Sequence, residues 1–314
     1  MKTFPSHLYQ KIQFLFESNP SLYQKSYAAV SLKYRTSSEQ KKNIQSGEEG
    51  VAYALARLPA TFQVLGYTLE ELKKVTGITP TSYLDIGCGP GASYWAMKDL
   101  YPALSDISLL ENNRFMFELL TMFIDKEPSL SLIQEDAGRF DPPKAYDLVS
   151  FSYSLGEMKD QDALLEKYWD ATKSALILTE PGTPNGFQTI LNARRFLQDQ
   201  GAFFAAPCGH NGPCPLSDAP KDWCHFSVRV KRTSLHKLIK RGNLGYEDEK
   251  FSYLIATKNP AAPLGERILK KPLKGKGHIR FDLCTPDGVK RKTISKSNAL
   301  LYPSAKNKEW GNVF

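Results

Sequence analysis

Three cysteines crowd into one stretch, APCGHNGPCPLSDAPKDWCHF, which runs from Ala206 to Phe226. Cys208, Cys214 and Cys224 are spaced C-x5-C-x9-C among Pro and Gly residues that read as a loop. A loop of that kind has little core to join, so these thiols are better suited to metal binding than to packing as small hydrophobes. No C-x2-C pair is present, and zinc-finger and zinc-ribbon patterns do not fit. A fourth thiol is available at Cys284, in the basic C-terminal region. Four thiolates are the usual set for a 4Fe–4S cluster. They can also bind zinc, and His210 or His225 could replace one of them. Spacing alone leaves iron–sulfur and zinc open.

A second stretch with chemical content is LDIGCGPG, Leu84 to Gly91. It reads as the end of a strand, a tight glycine turn and the start of a helix whose N-terminus faces whatever binds there. Glu111 ends the next strand, about 26 residues after Asp85, where a carboxylate can accept hydrogen bonds from both ribose hydroxyls. Asp136 follows the third strand, where a side chain can face an adenine amino group. Asp85, Gly87, Cys88, Gly89, Gly91, Glu111 and Asp136 are therefore candidate cofactor-binding residues. The G-x-G-x-x-G spacing of NAD enzymes is absent, and the residues resemble the class I S-adenosylmethionine-dependent methyltransferases. Cys88 sits beside a helix N-terminus that could activate a thiol, but a small packing residue is the better reading.

No catalytic group stands out. Asp141-Pro142-Pro143-Lys144 resembles the Asp/Asn-Pro-Pro-aromatic motif of amino-group methyltransferases, but it precedes the fourth strand and ends in Lys. It reads as a turn. After that strand comes SYSLGEM, in which Tyr153 and Glu157 can face the cofactor pocket without being an evident base or nucleophile.

The elements that must position these residues follow from periodicity. Residues 1–75 space apolar residues at three and four and read as helices, with a break expected at Leu58-Pro59-Ala60 and a polar linker at SSEQKKNIQSG. From Thr81 strands and helices alternate: SYLDI, DISLLE, SLSLIQ, AYDLVSFSYSL and SALILTE as strands, with helices between them. TPNGFQTILNARRFLQDQ is a helix with Thr183 as its N-cap and Pro184 at its first position. After the cysteine stretch come strand HFSVRVKR, helix TSLHKLIKR and strand KFSYLIATK, and HIRFDLC-TPDG-VKRKTIS reads as a hairpin. The expected fold is α/β, Rossmann-like with a largely parallel sheet. It divides into a helical N-terminal region (1–75), a methyltransferase-like domain (76–258) carrying the cysteine loop 206–226, and a basic β-rich C-terminal extension (259–314).

The formal net charge is +8, and it is uneven. From Arg229 to Lys308 there are about twenty Lys and Arg against about six Asp and Glu, interleaved with strand-like segments. That favours an anionic partner, with nucleic acid first. No apolar run is long enough for a membrane helix. MKTFPSHLYQKIQFLFESNP has neither a signal core nor an Arg- and Ser-rich leader pattern, so a cytoplasmic protein is expected. Five cysteines in a chain of 314 residues do not suggest a disulfide framework. A monomer without a disulfide-linked partner is expected. A methyl-donor fold with an iron–sulfur site could suggest radical chemistry, but that uses three cysteines, typically C-x3-C-x2-C, and leaves one iron open. A closed, structural site is expected here.

Taken together, AYALARLPATF (53–63), YLDIGCGPGAS (83–93), LTEPGTPNGFQTILNARRFL (178–197), PCGHNGPCPL with DWCHFSVRV (207–230) and FSYLIATK (251–258) are specific. They resemble the methyltransferase-like mitochondrial small-subunit ribosomal assembly factors and their bacterial relatives. The resemblance implies a class I methyltransferase fold bearing a 4Fe–4S cluster and an association with the small ribosomal subunit and its RNA. It maps the family's three clustered cysteines onto Cys208, Cys214 and Cys224, and its fourth onto Cys284. The family often has Pro after the first cysteine, where this chain has Gly209. An active rRNA methyltransferase and a small-molecule methyltransferase are the alternatives.

Overall fold

SYLDI has no polar alternation and is buried from end to end, as a central parallel strand must be. It forms β1 (Ser82–Ile86), flanked in parallel by β2 (Asp106–Leu110) and β4 (Tyr146–Ser152). β3 (Leu130–Ile133) continues the parallel sheet beyond β2, and β5 (Thr172–Pro181) continues it beyond β4. The direction then reverses. β8 (Tyr246–Thr257) lies antiparallel to β5, and β6 (Phe203–Ala206) lies antiparallel to β8. The order is β3-β2-β1-β4-β5-β8-β6, with β7 (Phe226–Lys231) paired to the N-terminal half of β8. This is the expected α/β class with a largely parallel sheet. The computed structural model describes residues 3–35, 44–219, 221–240, 243–262 and 265–314.

Helices α4 (Ala92–Leu100), α5 (Arg114–Phe123), α6 (Gln161–Asp170) and α7 (Pro184–Asp199) connect the strands, and α8 (Ser234–Lys240) bridges β7 and β8. Thr183 caps α7 by accepting the Gly186 N–H at 3.1 Å, with Pro184 in the first turn, as expected.

At the N-terminus stand α1 (Ser6–Ser18), α2 (Pro20–Arg35) and α3 (Gly47–Thr76). The expected break at Leu58-Pro59-Ala60 does not occur, because α3 runs through Pro59 as one helix of 30 residues. Proline removes one helical hydrogen bond. Leu58, Pro59, Ala60 and Phe62 are all buried, and their packing holds the helix through that loss. Most of the expected linker SSEQKKNIQSG lies outside the described residues.

The C-terminal part has its own small sheet. β11 (His278–Thr285) and β12 (Gly288–Ser295) form the expected hairpin, joined by Pro286-Asp287. β10 (Leu273–Gly275) and β9 (Arg267–Ile268) both pair with β11, and α9 (Tyr302–Ala305) packs against the sheet. Ile268, Ile279, Phe281, Leu283, Ile294 and Ala305 form its core. No helix among the described residues is long and apolar enough to cross a membrane.

Candidate functional site

Two sites can be built from these elements. The first is the cleft at the C-terminal ends of β1, β2 and β4. β1 delivers Asp85 and then a turn in which Gly87, Gly89 and Gly91 all have positive φ (69°, 55° and 87°). At Gly87 a Cβ atom would also lie 2.6 Å from Ser154 Cβ, so only glycine lets the turn close on the segment after β4. The turn is stitched to β2, since the Gly87 and Cys88 amides donate to the Leu110 carbonyl at 2.8 and 3.0 Å.

Asp85 is fully buried. It accepts hydrogen bonds from the Ser150 hydroxyl at 2.5 Å and from the Ser93 hydroxyl, and Tyr83 donates in turn to Ser150 at 2.6 Å. Burial pushes its carboxyl up to about 6, against the pull of those hydroxyls. Asp85 therefore holds the turn from beneath. Glu111 accepts the Gly89 amide at 2.8 Å on one oxygen and the Asn113 amide at 2.7 Å on the other. The Asn112 backbone amide also donates to this carboxylate, and acceptor capacity remains for a further donor. Burial raises the Glu111 carboxyl and the Cys88 thiol, leaving Cys88 a protonated packing residue.

The cleft is lined by Asp85, Gly87, Cys88, Gly89, Glu111 and Tyr153, and Glu157 also faces it. Gly91 caps α4 at the end of the same turn. Asp136 is exposed, accepts from the Asn112 side-chain amide at 3.2 Å and the Gly138 amide at 2.9 Å, and is not a lining residue. Asp141-Pro142-Pro143-Lys144 forms the turn before β4 and stays outside the cleft, with Lys144 paired to Asp106.

Tyr153 has a φ of 60° and a buried hydroxyl without a hydrogen-bond partner among the described residues. Sequence reasoning missed what stands behind it. The Arg57 guanidinium lies 5.8 Å over its ring and makes a two-pronged ion pair with Glu249 at 2.8 and 3.1 Å. Tyr53, Leu58, Thr61 and Leu65 of α3 form one wall of the cleft, so the helical region is part of the site.

The second site lies between α7, β6, the loop before β7 and the C-terminal sheet. Cys208, Cys214, Cys224 and Cys284 all line one cavity there, with Phe187, Ile190 and Leu216 around them. All four are free thiols. Residue by residue, α7 secures the loop: Arg194 donates to the Gly212 carbonyl at 2.5 Å, and Gln198 donates to the Asn211 carbonyl at 2.9 Å. Asn211 accepts the Phe204 amide at 2.8 Å, which fixes the loop to β6. Ser252 on β8 donates to the Cys224 carbonyl at 2.8 Å.

Cys284 arrives from β11, opposite Arg267 of β9. Burial pushes the Cys284 thiol up to about 12, and it raises Cys214 and Cys224 too. His210 lines the cavity, with Nε2 3.6 Å from Cys284 Sγ. His225 is not a lining residue, and it stacks on Trp223 with ring centroids 5.1 Å apart. Among the described residues no group of three or more His, Cys, Asp or Glu is placed to hold a metal ion. The four thiols line one cavity. Arg194 and Arg267 share that wall, and nothing in their sequence neighbourhoods marks them.

Five parallel strands, a reversed β8 between β5 and β6, and a glycine turn after β1 define the class I S-adenosylmethionine-dependent methyltransferase fold. Within that class, the chain belongs to the Rsm22 family, whose model, described as mitochondrial small ribosomal subunit Rsm22, matches residues 47–314. It is 26% identical to a mitochondrial Rsm22-cox11 tandem protein of Schizosaccharomyces pombe, over 84% of this chain and 43% of that protein. It is also 26% identical to the human mitochondrial ribosome assembly protein METTL17, over 84% of this chain and 62% of the relative. The chain thus spans less than two thirds of the length of either relative. Among solved structures, the plantazolicin methyltransferase BpumL in complex with SAH is similar at 15% identity and a TM-score of 0.43, covering 80% of this chain and 99% of that one.

The expectation of a cytoplasmic protein is overturned by these relatives, which are mitochondrial proteins. That expectation rested on the composition of the first twenty residues, which does not decide the compartment.

Proposed function

We propose that this protein is an assembly or translation factor of the small ribosomal subunit that binds rRNA, with S-adenosylmethionine held at the glycine turn and a structural 4Fe–4S cluster held by Cys208, Cys214, Cys224 and Cys284. The single observation that carries the reading is that three loop cysteines and one from the C-terminal hairpin line the same cavity. Seventy-six residues separate the first from the last, so neither segment alone could supply the set.

The donor set fits the group. A single zinc ion needs sulfurs that converge to about 2.3 Å from one point, whereas a cluster fills a wider space between its thiolates. Four thiols in apolar surroundings match the four-thiolate set of a cluster, and zinc is the alternative occupant. When bound, a closed cluster supplies cross-linking: it would tie the cysteine loop to the C-terminal sheet and add its binding free energy to folding. In the cleft, the acceptor capacity left on Glu111 suits a ribose hydroxyl, and the Gly87–Gly91 turn lets a ligand approach the backbone. The Asp-Pro-Pro-Lys turn lies before β4 and outside the cleft, which supports binding without turnover over an active rRNA methyltransferase.

Anaerobic purification is the direct test of the metal. Iron and sulfide in near-equal amounts with a brown colour are expected, and stoichiometric zinc in a colourless protein would refute the cluster. For the ribosome, co-sedimentation with small subunits at low salt is expected, without transfer of a labelled methyl group to their RNA.

A further inference from the structure

Two arginines on the wall of the cysteine cavity have N–H groups that no group among the described residues accepts. Arg194, on α7, is 3% exposed, and Arg267, on β9, is 1% exposed. Both are built into place. Arg194 donates to Gln198 at 3.1 Å and to the carbonyls of Gly212 at 2.5 Å and His210 at 3.4 Å. Arg267 donates to Pro207 O at 2.8 Å, Gly311 O at 2.6 Å and the Glu71 carboxylate at 2.8 Å. Arg194 Nε and Arg267 Nη2 are nonetheless buried without a partner among the described residues.

Guanidinium groups do not deprotonate in proteins, so each brings a fixed positive charge and a donor that must be satisfied. Glu71 offsets the charge of Arg267, and Arg194 forms no ion pair among the described residues. What both arginines share is the cavity, whose wall carries the four thiols and apolar side chains, with His210 and Tyr253 the other polar groups on it. Neutral thiols and hydrocarbon are poor acceptors. Thiolates and inorganic sulfide accept readily, and four thiolates around a cluster leave net negative charge.

We infer that Arg194 and Arg267 are the hydrogen-bond donors and counter-charges of a sulfur-rich anionic group held by Cys208, Cys214, Cys224 and Cys284. They are positioning residues and not ligands. This rests on the cluster reading above. Two outcomes follow from hydrogen bonds and positive charge at the sulfurs: they favour the reduced, more negative state, and they slow loss of the group.

The test uses the full chain purified without oxygen. Wild type, Arg194→Gln, Arg194→Lys and Arg267→Lys are compared for iron and sulfide per chain, iron release to a chelator, and midpoint potential in a stepwise dithionite titration. Arg194→Gln is expected to load iron, to titrate at a more negative potential and to release iron several-fold faster. Arg194→Lys, which keeps the charge, should return much of the potential. If Arg194→Gln does not fold, the two lysine variants carry the test, because each loses the fork of donors while keeping its charge and should still release iron faster than wild type. Wild-type potential and wild-type release in every variant that folds would overturn the assignment of the arginines. A wild-type protein without iron would overturn the cluster reading itself, so the two failures are distinguishable.

Discussion

Asp85 shows how a conspicuous residue can act through its neighbours. Its carboxylate is wholly enclosed by Ser93, Ser150 and the turn, and burial lifts its proton affinity to a value of about 6. In an unfolded chain an aspartate titrates near 3.9. The folded protein therefore binds a proton between those values that the unfolded chain does not. The stability this supplies is present below about pH 4 and lost as the pH rises through about 6. Asp85→Asn cannot ionise, so the stability gap between wild type and variant should move in the variant's favour by up to about 3 kcal/mol from pH 4 to pH 7. Urea melts at the two pH values measure it, and a constant gap would show that the buried carboxyl does not titrate in this range. The cysteines give a second prediction at this scale. Cys284→Ser should lose bound iron as completely as Cys208→Ser, although Cys284 lies on β11 and Cys208 in the loop after β6; retention of full iron by Cys284→Ser would leave a three-cysteine site. How much of this was legible differs by residue. The glycine turn and the three loop cysteines announce themselves by type and spacing. Arg57, Arg194 and Arg267 do not, because a buried arginine is a property of the fold and leaves no local pattern in a chain rich in exposed basic residues.

Elements carry these residues to their places, and α7 does so for the cysteine loop through Arg194 and Gln198. Its first turn is tightly wedged: a Cβ on Gly186 would lie 2.1 Å from the Pro181 carbonyl oxygen, which is backbone and cannot swing away. Gly186→Ala should therefore destabilise the fold by about 1–3 kcal/mol, and it should also lower iron occupancy because the loop hangs from the same helix. Thr183→Ala removes only the N-cap and should cost about 1 kcal/mol with occupancy kept. Thermal melts and iron analysis of the two variants separate these effects. The cap and Pro184 were readable because capping is local chemistry. Pro59 was misread for the opposite reason. Proline signals a break through one lost hydrogen bond, but tertiary burial of both faces of α3 outweighs that local signal. β6 escaped notice as well, because Phe203–Ala206 is too short to show a strand period and is made a strand only by pairing with β8.

On the scale of the whole molecule the question is what the positive charge does once the chain is folded. Some of the C-terminal cations are paired internally: Lys270 with Asp222, Lys274 with Glu309, Lys290 with Asp287 and Arg291 with Asp282. Lys271, Lys276, Arg280 and Lys296 form no ion pair among the described residues, and they belong to the β10–β11–β12 sheet or its connections. Arg280 faces Leu273 on one neighbouring strand and Thr293 on the other, and Leu273 is 62% exposed, so this face is open. Exposed cations with no internal partner are the ones able to displace counterions from phosphates. Changing Lys271, Lys276 and Arg280 together to Gln should leave the melting temperature nearly unaltered, since none is buried. The same triple variant should weaken binding to small-subunit RNA, and the slope of log affinity against log salt should flatten by about 2–3, at about 0.7–0.9 for each phosphate no longer neutralised. Neutralising Lys274, Lys290 and Arg291 removes the same charge but from groups already paired, and should flatten the slope less. Filter binding across a salt series compares the two sets. Equal slopes for both would mean that the sheet acts as a diffuse positive surface, and an unchanged slope in both would move the RNA-binding surface to another face of the protein.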